Sequence, residues 1–427
     1  MIDSSVLSRL ARTRERLRAA TACAAPTTPM SERRPRAARP SPRPSRAQEP
    51  LDVVVTPGEL NDLHGTGFLV KRVFTDRRGV LALRVRDDYG GVHDFGAEAL
   101  RLDVVGARRP DVYAAAIAAL DGRTVRAVYS VPYTPADLML AMAVSDVAHA
   151  PLCLWEMDDQ CVAVPNIPRP LMREFLEKCR LRLATHAELR DAYEAEFGLR
   201  FAILPAVVPS RLVRPQAGLA PVTAGRGALL GSVWSRAWLD GLAKVLRQAD
   251  ESLDWYGNHR APGLGLDDAA LAAMPIEAHG VVAEPALADA LLRHPFVVVP
   301  TDEIHDRGTE SGAIAALSLP GRILFAAAAS QTPVIVVGSD RTPAAAFVLR
   351  HGIGRVVPYD AAAFRAAARE LRRPDVQVEA RARASAIAPA LSDEGVGPWL
   401  FGSVEDGRPR DDRFERLFPR AAAEAAA

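Results

Sequence analysis

From residue 51 onward, short apolar and β-branched runs alternate with segments of helical period. LDVVVT (51–56), GVLALRV (79–85), VRAVYSV (125–131), PLCLWEM (151–157), RLRLAT (180–185) and RFAILPAVV (200–208) read as strands. TPADLMLAMAVSDVA (134–148), PRPLMREFLEKC (168–179) and AELRDAYEAEF (187–197) read as helices between them. Apolar strands separated by helices predict a parallel sheet covered on both faces.

The alternation stops at SRLVRPQAGLAPVTAGRG, which has Pro and Gly but no apolar period, and then restarts. GALLGSV, SLDWYG, PIEAHG, PFVVVPT, TPVIVV and GRVVPYD supply the next strands, with helices such as SRAWLDGLAKVLRQA and AEPALADALLRH between them. The predicted fold class is α/β: two tandem Rossmann-like domains with an interdomain cleft. The boundaries read as a basic tail over 1–50, a first domain over 51–212, a linker over 213–225, a second domain over 226–392 and a C-terminal segment over 393–427. In such sheets ligands sit beyond the carboxyl ends of the strands.

Composition changes this picture at one end only. Lys and Arg number 53 against 52 acids, so the whole molecule exerts no general pull on nucleic acid. Residues 1–50 hold eleven Arg against four acids, in a Pro- and Ser-rich context that cannot bury itself. The tail reads as a solvated extension, with a weak contact to an acidic membrane surface left open. Cys23, Cys153, Cys161 and Cys179 show neither metal-ligand spacing nor a disulfide framework, so no metal is expected. No apolar run is long enough to span a bilayer. The expected location is the cytoplasm, with a peripheral position at the inner membrane face as the variant reading.

The stretch ALSLPGRILFAAAASQTPVIVVGS (316–339) is nearly all small or apolar, yet it carries Arg322 beside a Ser-Leu-Pro-Gly turn. The pattern predicts a helix over Leu319–Ser330, with Ser318 as N-cap and Pro320 in the first turn. A cation near a helix start opposes the helix dipole, so the position calls for an anion. Amides, dipole and guanidinium together suit a diphosphate.

On these residues the chain resembles the donor domain of GT-B-fold glycosyltransferases, near the retaining branch. The run PFVVVPTDE…SLPGRILFAAAASQTPVIVVGS…FVLRHGIGRVVPYD is similar to that family's PS…EGFG…EAMAxGTPV pattern. LGSVWSRAWLDGLAKVLRQADESLDWYGNH resembles the opening of the same domain. LNDLHGTGFLVKRVF resembles the Gly-rich loop that these enzymes place over the cleft, and PLCLWEMDDQ the strand ending in an acidic acceptor-side loop.

The resemblance implies transfer of a sugar from a nucleotide-diphosphate donor to an acceptor hydroxyl in polysaccharide or glycoconjugate biosynthesis. It implies retention, no metal, and no cofactor beyond the nucleotide-sugar co-substrate. The donor would meet Gly65, Thr66, Gly67, Gly231, Arg236, Gly280, Ser318, Leu319, Pro320 and Arg322. Asp158, Asp159 and Arg322 are the catalytic candidates, with His64 as a further base. Trp234 and Tyr256 suit base stacking but read more readily as core.

The family's paired glutamates fall at Ser318 and Ala326 when aligned on TPV, and Ser232 stands at the family's Arg position. Glu303, Asp306 and Glu310 lie close by in sequence. Two other readings follow from these departures: a silent binding protein on the same fold, and a nucleotide-sugar epimerase.

Overall fold

The computed structural model describes residues 49–420 apart from 64, 97, 215–218, 234, 261–263 and 303–309. The basic tail, His64, Trp234, Glu303 and Asp306 therefore lie outside the described residues, as does the side chain of Glu310.

The first domain runs β1 (Leu51–Thr56), α1 (Gly65–Val73), β2 (Val80–Arg84), β3 (Glu98–Arg101), α2 (Arg109–Leu120), β4 (Val125–Ser130), α3 (Pro135–Ala148), β5 (Leu152–Glu156), α4 (Arg169–Lys178), β6 (Cys179–Ala184), α5 (Ala187–Phe197) and β7 (Ala202–Ile203). Its strands form one sheet in the order β3-β2-β1-β4-β5-β6-β7, and every described pairing is parallel. Alternate residues explain why: Val53 and Val55 enter one apolar cluster while Val54 enters another on the opposite face. β3 escaped the sequence reading because EALR is a short edge strand with no buried residue. The run RFAILPAVV yields only two strand residues. Beyond them Pro205 and Pro209 lack the N–H needed to extend the ladder, and the chain crosses to the second domain, where Val208 bridges Ser392.

The second domain repeats the pattern with β8 (Gly227–Leu230), α6 (Arg236–Ala249), β9 (Leu253–Tyr256), α7 (Asp268–Ala272), β10 (Ile276–Gly280), α8 (Glu284–Leu291), β11 (Val297–Pro300), α9 (Glu310–Ala316), α10 (Gly321–Phe325), β12 (Val334–Val337), α11 (Pro343–His351), β13 (Gly354–Val357), α12 (Ala361–Leu371) and α13 (Pro374–Ile387). Its order is β10-β9-β8-β11-β12-β13, again parallel, so strand order reverses between β8 and β11.

The two sheets share a core. Val54, Tyr129 and Leu183 of the first, Leu204 and Val207 of the crossing, and Leu230, Ile323 and Val336 of the second belong to one apolar cluster. The Arg72–Glu284 pair at 2.6 Å ties α1 to α8 across the domains.

Helix α14 (Val396–Asp406) lies against the first sheet, with Phe401 edge-on to Phe74 at 5.2 Å and to Tyr129 at 6.0 Å. Trp399 is buried and meets Phe414 edge-on at 5.2 Å. Arg77 stacks over Phe401 at 4.2 Å while its Nε lies 2.6 Å from the fully buried Asp52, which also takes Arg126 at 2.6 Å.

Replacing Asp52 with Ala strips two arginines of their shared acceptor. We expect a loss of about 2–3 kcal/mol in chemical denaturation. A loss under about 0.5 kcal/mol would show that this pair does not hold β1 to the C-terminal helix.

Candidate functional site

The second sheet's carboxyl edge is built from close backbone. Gly231 follows β8 with φ +69°, and its N–H donates to the Tyr256 carbonyl. Gly257 follows β9, where a methyl group would lie 2.2 Å from the Gly231 carbonyl oxygen. Only glycine lets these two turns touch. Gly280 closes β10, accepts from the Gly257 N–H and faces open space.

Arg322 reaches this edge from α10. Its Nη1 donates to the Leu230 carbonyl at 2.7 Å and to the Ser232 carbonyl. A methyl group at Gly231 would sit 3.3 Å from that nitrogen. Nε is buried and has no hydrogen-bond partner, and no carboxylate pairs with the side chain among the described residues. Burial pulls the guanidinium pKa down to about 10. The residue keeps some exposure as a whole, while Nε itself is shut off from water. With Nη1 fixed by carbonyls and Nε enclosed, the guanidinium offers an anion its charge and the Nη2 donors.

The helix around it departs from expectation. It begins at Gly321, with Pro320 as N-cap and no side-chain cap bond, so Ser318 does not cap it. After Phe325 it widens into a π-helical segment over Ala326–Ser330. There Ser330 Oγ returns to the Ala326 carbonyl at 3.0 Å, and Gln331 ends the run with φ +55°. The α-helical part is one turn long, so its dipole is weak and the guanidinium dominates the local field. Ser318, Leu319 and Pro320 are half-buried in the turn before it. Ala326 is fully buried in the shared core and faces no ligand space.

Arg236 does not join Arg322. Its Nε meets Asp240 at 2.9 Å one helical turn on, and its Nη1 donates to the Gly265 carbonyl at 3.1 Å. An acid four residues along the same helix face captured it. Tyr256 packs against the shared core, stacks on His279 at 4.9 Å and shares a hydrogen bond with His294 at 3.0 Å.

In the first domain the Gly-rich loop and the acidic loop are linked by a residue the sequence reading missed. Thr66 Oγ1 lies 3.0 Å from Tyr133 Oη, which donates to Asp158 Oδ2. Burial, then the Asp158 charge, pushes the Tyr133 hydroxyl well above its ordinary pKa, so it remains a donor. The available signal was position: Tyr133 follows β4, at the same carboxyl edge as Asp158 after β5. Gly65 is exposed at the start of α1 with open space around it, whereas Gly67 packs on the Asn61 backbone, where a methyl would come within 2.1 Å.

Asp159 is a structural acid. Oδ1 accepts from the N–H groups of Cys161 and Val162, Oδ2 from those of Ala163 and Val164 at 2.6 and 2.9 Å, and Tyr193 Oη lies 3.1 Å from Oδ1. It organises its own loop and has no capacity left for a substrate proton. Tyr193 also meets Glu156 at 2.9 Å. Burial, reinforced by Asp159 and Asp158 against the Tyr193 hydrogen bond, drives the Glu156 carboxyl well above the usual range.

His186, after β6, is fully buried with Nδ1 3.1 Å from Thr185 Oγ1 and Nε2 unpaired. Burial lowers its pKa to about 3, with the Leu317 backbone pulling weakly upward. That contact places a first-domain imidazole beside the turn leading to Arg322.

No family model matches the chain, and no curated protein matches it. Among solved structures, HepE of Anabaena in complex with UDP and glucose is similar with a TM-score of 0.57 at 12% identity, covering 83% of this chain and all of HepE. The lipopolysaccharide outer core galactosyltransferase WaaB, in its apo form, is similar with a TM-score of 0.51 at 10% identity, covering 83% of this chain and 99% of WaaB. The chain has the GT-B fold. No described helix is long and apolar enough to cross a membrane.

His186 makes stability sensitive to acid. Its folded pKa lies below the unfolded value of about 6.5, so the unfolded chain binds the extra proton and stability falls as pH drops below about 6.5. We expect His186→Gln to flatten the acid limb of a denaturation series between pH 6.5 and 4, by at most about 1.4 kcal/mol per pH unit. Parallel acid limbs in the two proteins would contradict this assignment.

Proposed function

We propose that the protein is a glycosyltransferase that moves a sugar from a nucleoside-diphosphate donor to an acceptor hydroxyl. The observation that carries this is the Arg322 guanidinium. Its Nε is buried, it has no acid among the described residues, and it is fixed by two carbonyls at the end of β8, next to the strand-order reversal. Breaking the anomeric C–O bond leaves negative charge on the diphosphate, and a pre-positioned guanidinium stabilises that charge as it develops. HepE, of the same fold, is solved with UDP and glucose, which supports a nucleotide sugar as ligand.

In this reading the second domain binds the donor, with Gly280 open to it and the packed Gly231 and Gly257 turns shaping the edge beneath. The first domain orients the acceptor through Asp158, which Tyr133 and Thr66 hold in place. The reaction retains anomeric configuration, with the leaving phosphate taking the acceptor proton, and uses Arg322 as its positive charge in place of a metal. The enzyme acts on the cytoplasmic side, in polysaccharide or glycoconjugate assembly.

At millimolar UDP, GDP or dTDP, at least one nucleotide should raise the melting temperature through mass action. Arg322→Gln should melt at an unchanged temperature alone and bind that nucleotide at least tenfold more weakly, about 1.4 kcal/mol. Flat melting curves for the wild type across the panel would remove the proposal.

A second reading, a donor-binding protein without turnover, is favoured by the buried Ala326 and the fully engaged Asp159. Nucleotide release from donor sugars separates the two. For an enzyme, Asp158→Asn should lower turnover about a hundredfold while nucleotide stabilisation stays the same. Binding with no release from any donor sugar supports the silent reading.

A further inference from the structure

A basic concavity lies away from the cleft. A cavity of about 650 Å³ opens where the starts of β6 and β7 meet the C-terminal segment 407–420. In a parallel sheet those starts form the amino edge, opposite the edge that carries Asp158. The floor is apolar, from the buried side chains of Leu181 and Phe201.

Arginines dominate its rim, and its two acids do not balance them. Glu415 is drawn away to the fully buried Arg190 at 2.7 Å, and Asp412 meets Arg416 only at 3.9 Å. Glu194, from α5, serves Arg420 at 2.6 Å and Arg200 at 3.4 Å. Three cations remain without a carboxylate among the described residues. Arg180 donates to the Glu405 carbonyl. Arg182 uses Nε and Nη1 on the carbonyls of Arg200, Leu176 and Cys179. Arg408 makes no side-chain hydrogen bond among the described residues and is exposed.

These carbonyls position the Arg180 and Arg182 guanidiniums without neutralising them. Gly407, at φ +70°, lets the tail pass beside Arg180, where a methyl would lie 3.4 Å from its Cγ and Nε. Three like charges around one concavity repel each other until an anion enters. A carboxylate neutralises only one of them, whereas a phosphate group carries about two charges and accepts forked donors from several sides.

We propose that this cavity is a second anion site, which takes a phosphate group whose attached moiety rests on the Leu181–Phe201 floor. Two sources share that chemistry: a soluble phosphate compound and the headgroup of an anionic lipid.

The test uses the full chain carrying Arg322→Gln, so that the cleft contributes little, with and without Arg180→Gln plus Arg408→Gln. Inorganic pyrophosphate is titrated calorimetrically. Flotation is measured with phosphatidylcholine vesicles containing phosphatidylglycerol, and with phosphatidylcholine alone. Both proteins keep the arginine-rich tail, so the difference between them reports the cavity. The expected result is at least a tenfold loss of affinity on removing the two arginines, at unchanged melting temperature and weakened by salt. A loss in the pyrophosphate arm identifies a soluble phosphate, and a loss confined to anionic vesicles identifies a headgroup. Arg408→Glu alone, at an exposed position, gives the same loss should the double replacement melt early. Equal pyrophosphate affinity and equal flotation in both proteins would overturn the proposal. In a chain that keeps Arg322, the Arg180 and Arg408 replacements leave nucleotide stabilisation unchanged, because the two sites lie at opposite edges of different sheets.

Discussion

A cation partly taken out of water, with no counter-charge among the described residues, is the constraint around which the second domain's carboxyl edge is arranged. Arg322 tolerates burial because two carbonyls at the end of β8 accept from one of its nitrogens. Those carbonyls are available only because β8 ends in a left-handed glycine pressed against a second glycine after β9. The buried Nε has no partner among the described residues, and a buried unpaired donor costs about 1–3 kcal/mol. Proteins tolerate such strain where a ligand relieves it. The apolar stretch that follows, Ala326–Ala329, is buried in the core that the two sheets share.

The same principle separates the two aspartates after β5. Adjacent in sequence, they differ in what surrounds them. Asp159 is closed off by four N–H groups of its own loop, which fixes that loop and leaves the carboxylate nothing to offer a substrate. Asp158 is instead joined through Tyr133 to the Gly-rich loop, a contact across 67 residues of chain between Thr66 and Tyr133. The carboxylate, the phenol and the hydroxyl form one polar chain at the edge of the first sheet. Burial keeps its phenol protonated, so each bond has a donor.

Much of the architecture was legible because the pattern and the packing answer to the same rule. VIVV and LCLW are apolar at successive positions since both faces of a parallel strand are covered, and each is buried throughout. The helix at Arg322 was legible in existence but not in detail. Ser318 has the chemistry of an N-cap, yet the helix starts three residues later. The π-helical turn over Ala326–Ser330 has no local signature, because alanines accept either hydrogen-bond pattern and packing decides. Arg236 read as a donor-binding cation until the structure showed Asp240 within reach on the same face. Tyr133 was overlooked because its importance depends on two partners distant in sequence.

The sequence by itself determined the alternation of strands and helices, the restart that makes two domains, and the presence of one arginine in an otherwise apolar stretch. These follow from local periodicity and from the cost of burying polar groups, which act on neighbouring residues. Tertiary structure alone decided which charges stay unpaired. Among the described residues Arg322 and, at the β6–β7 edge, Arg180, Arg182 and Arg408 lack acids, while Arg236 and Arg190 have them, and no count of residue types distinguishes the two groups. Pairing depends on distances of a few ångströms between segments far apart in the chain, and only the folded backbone sets those.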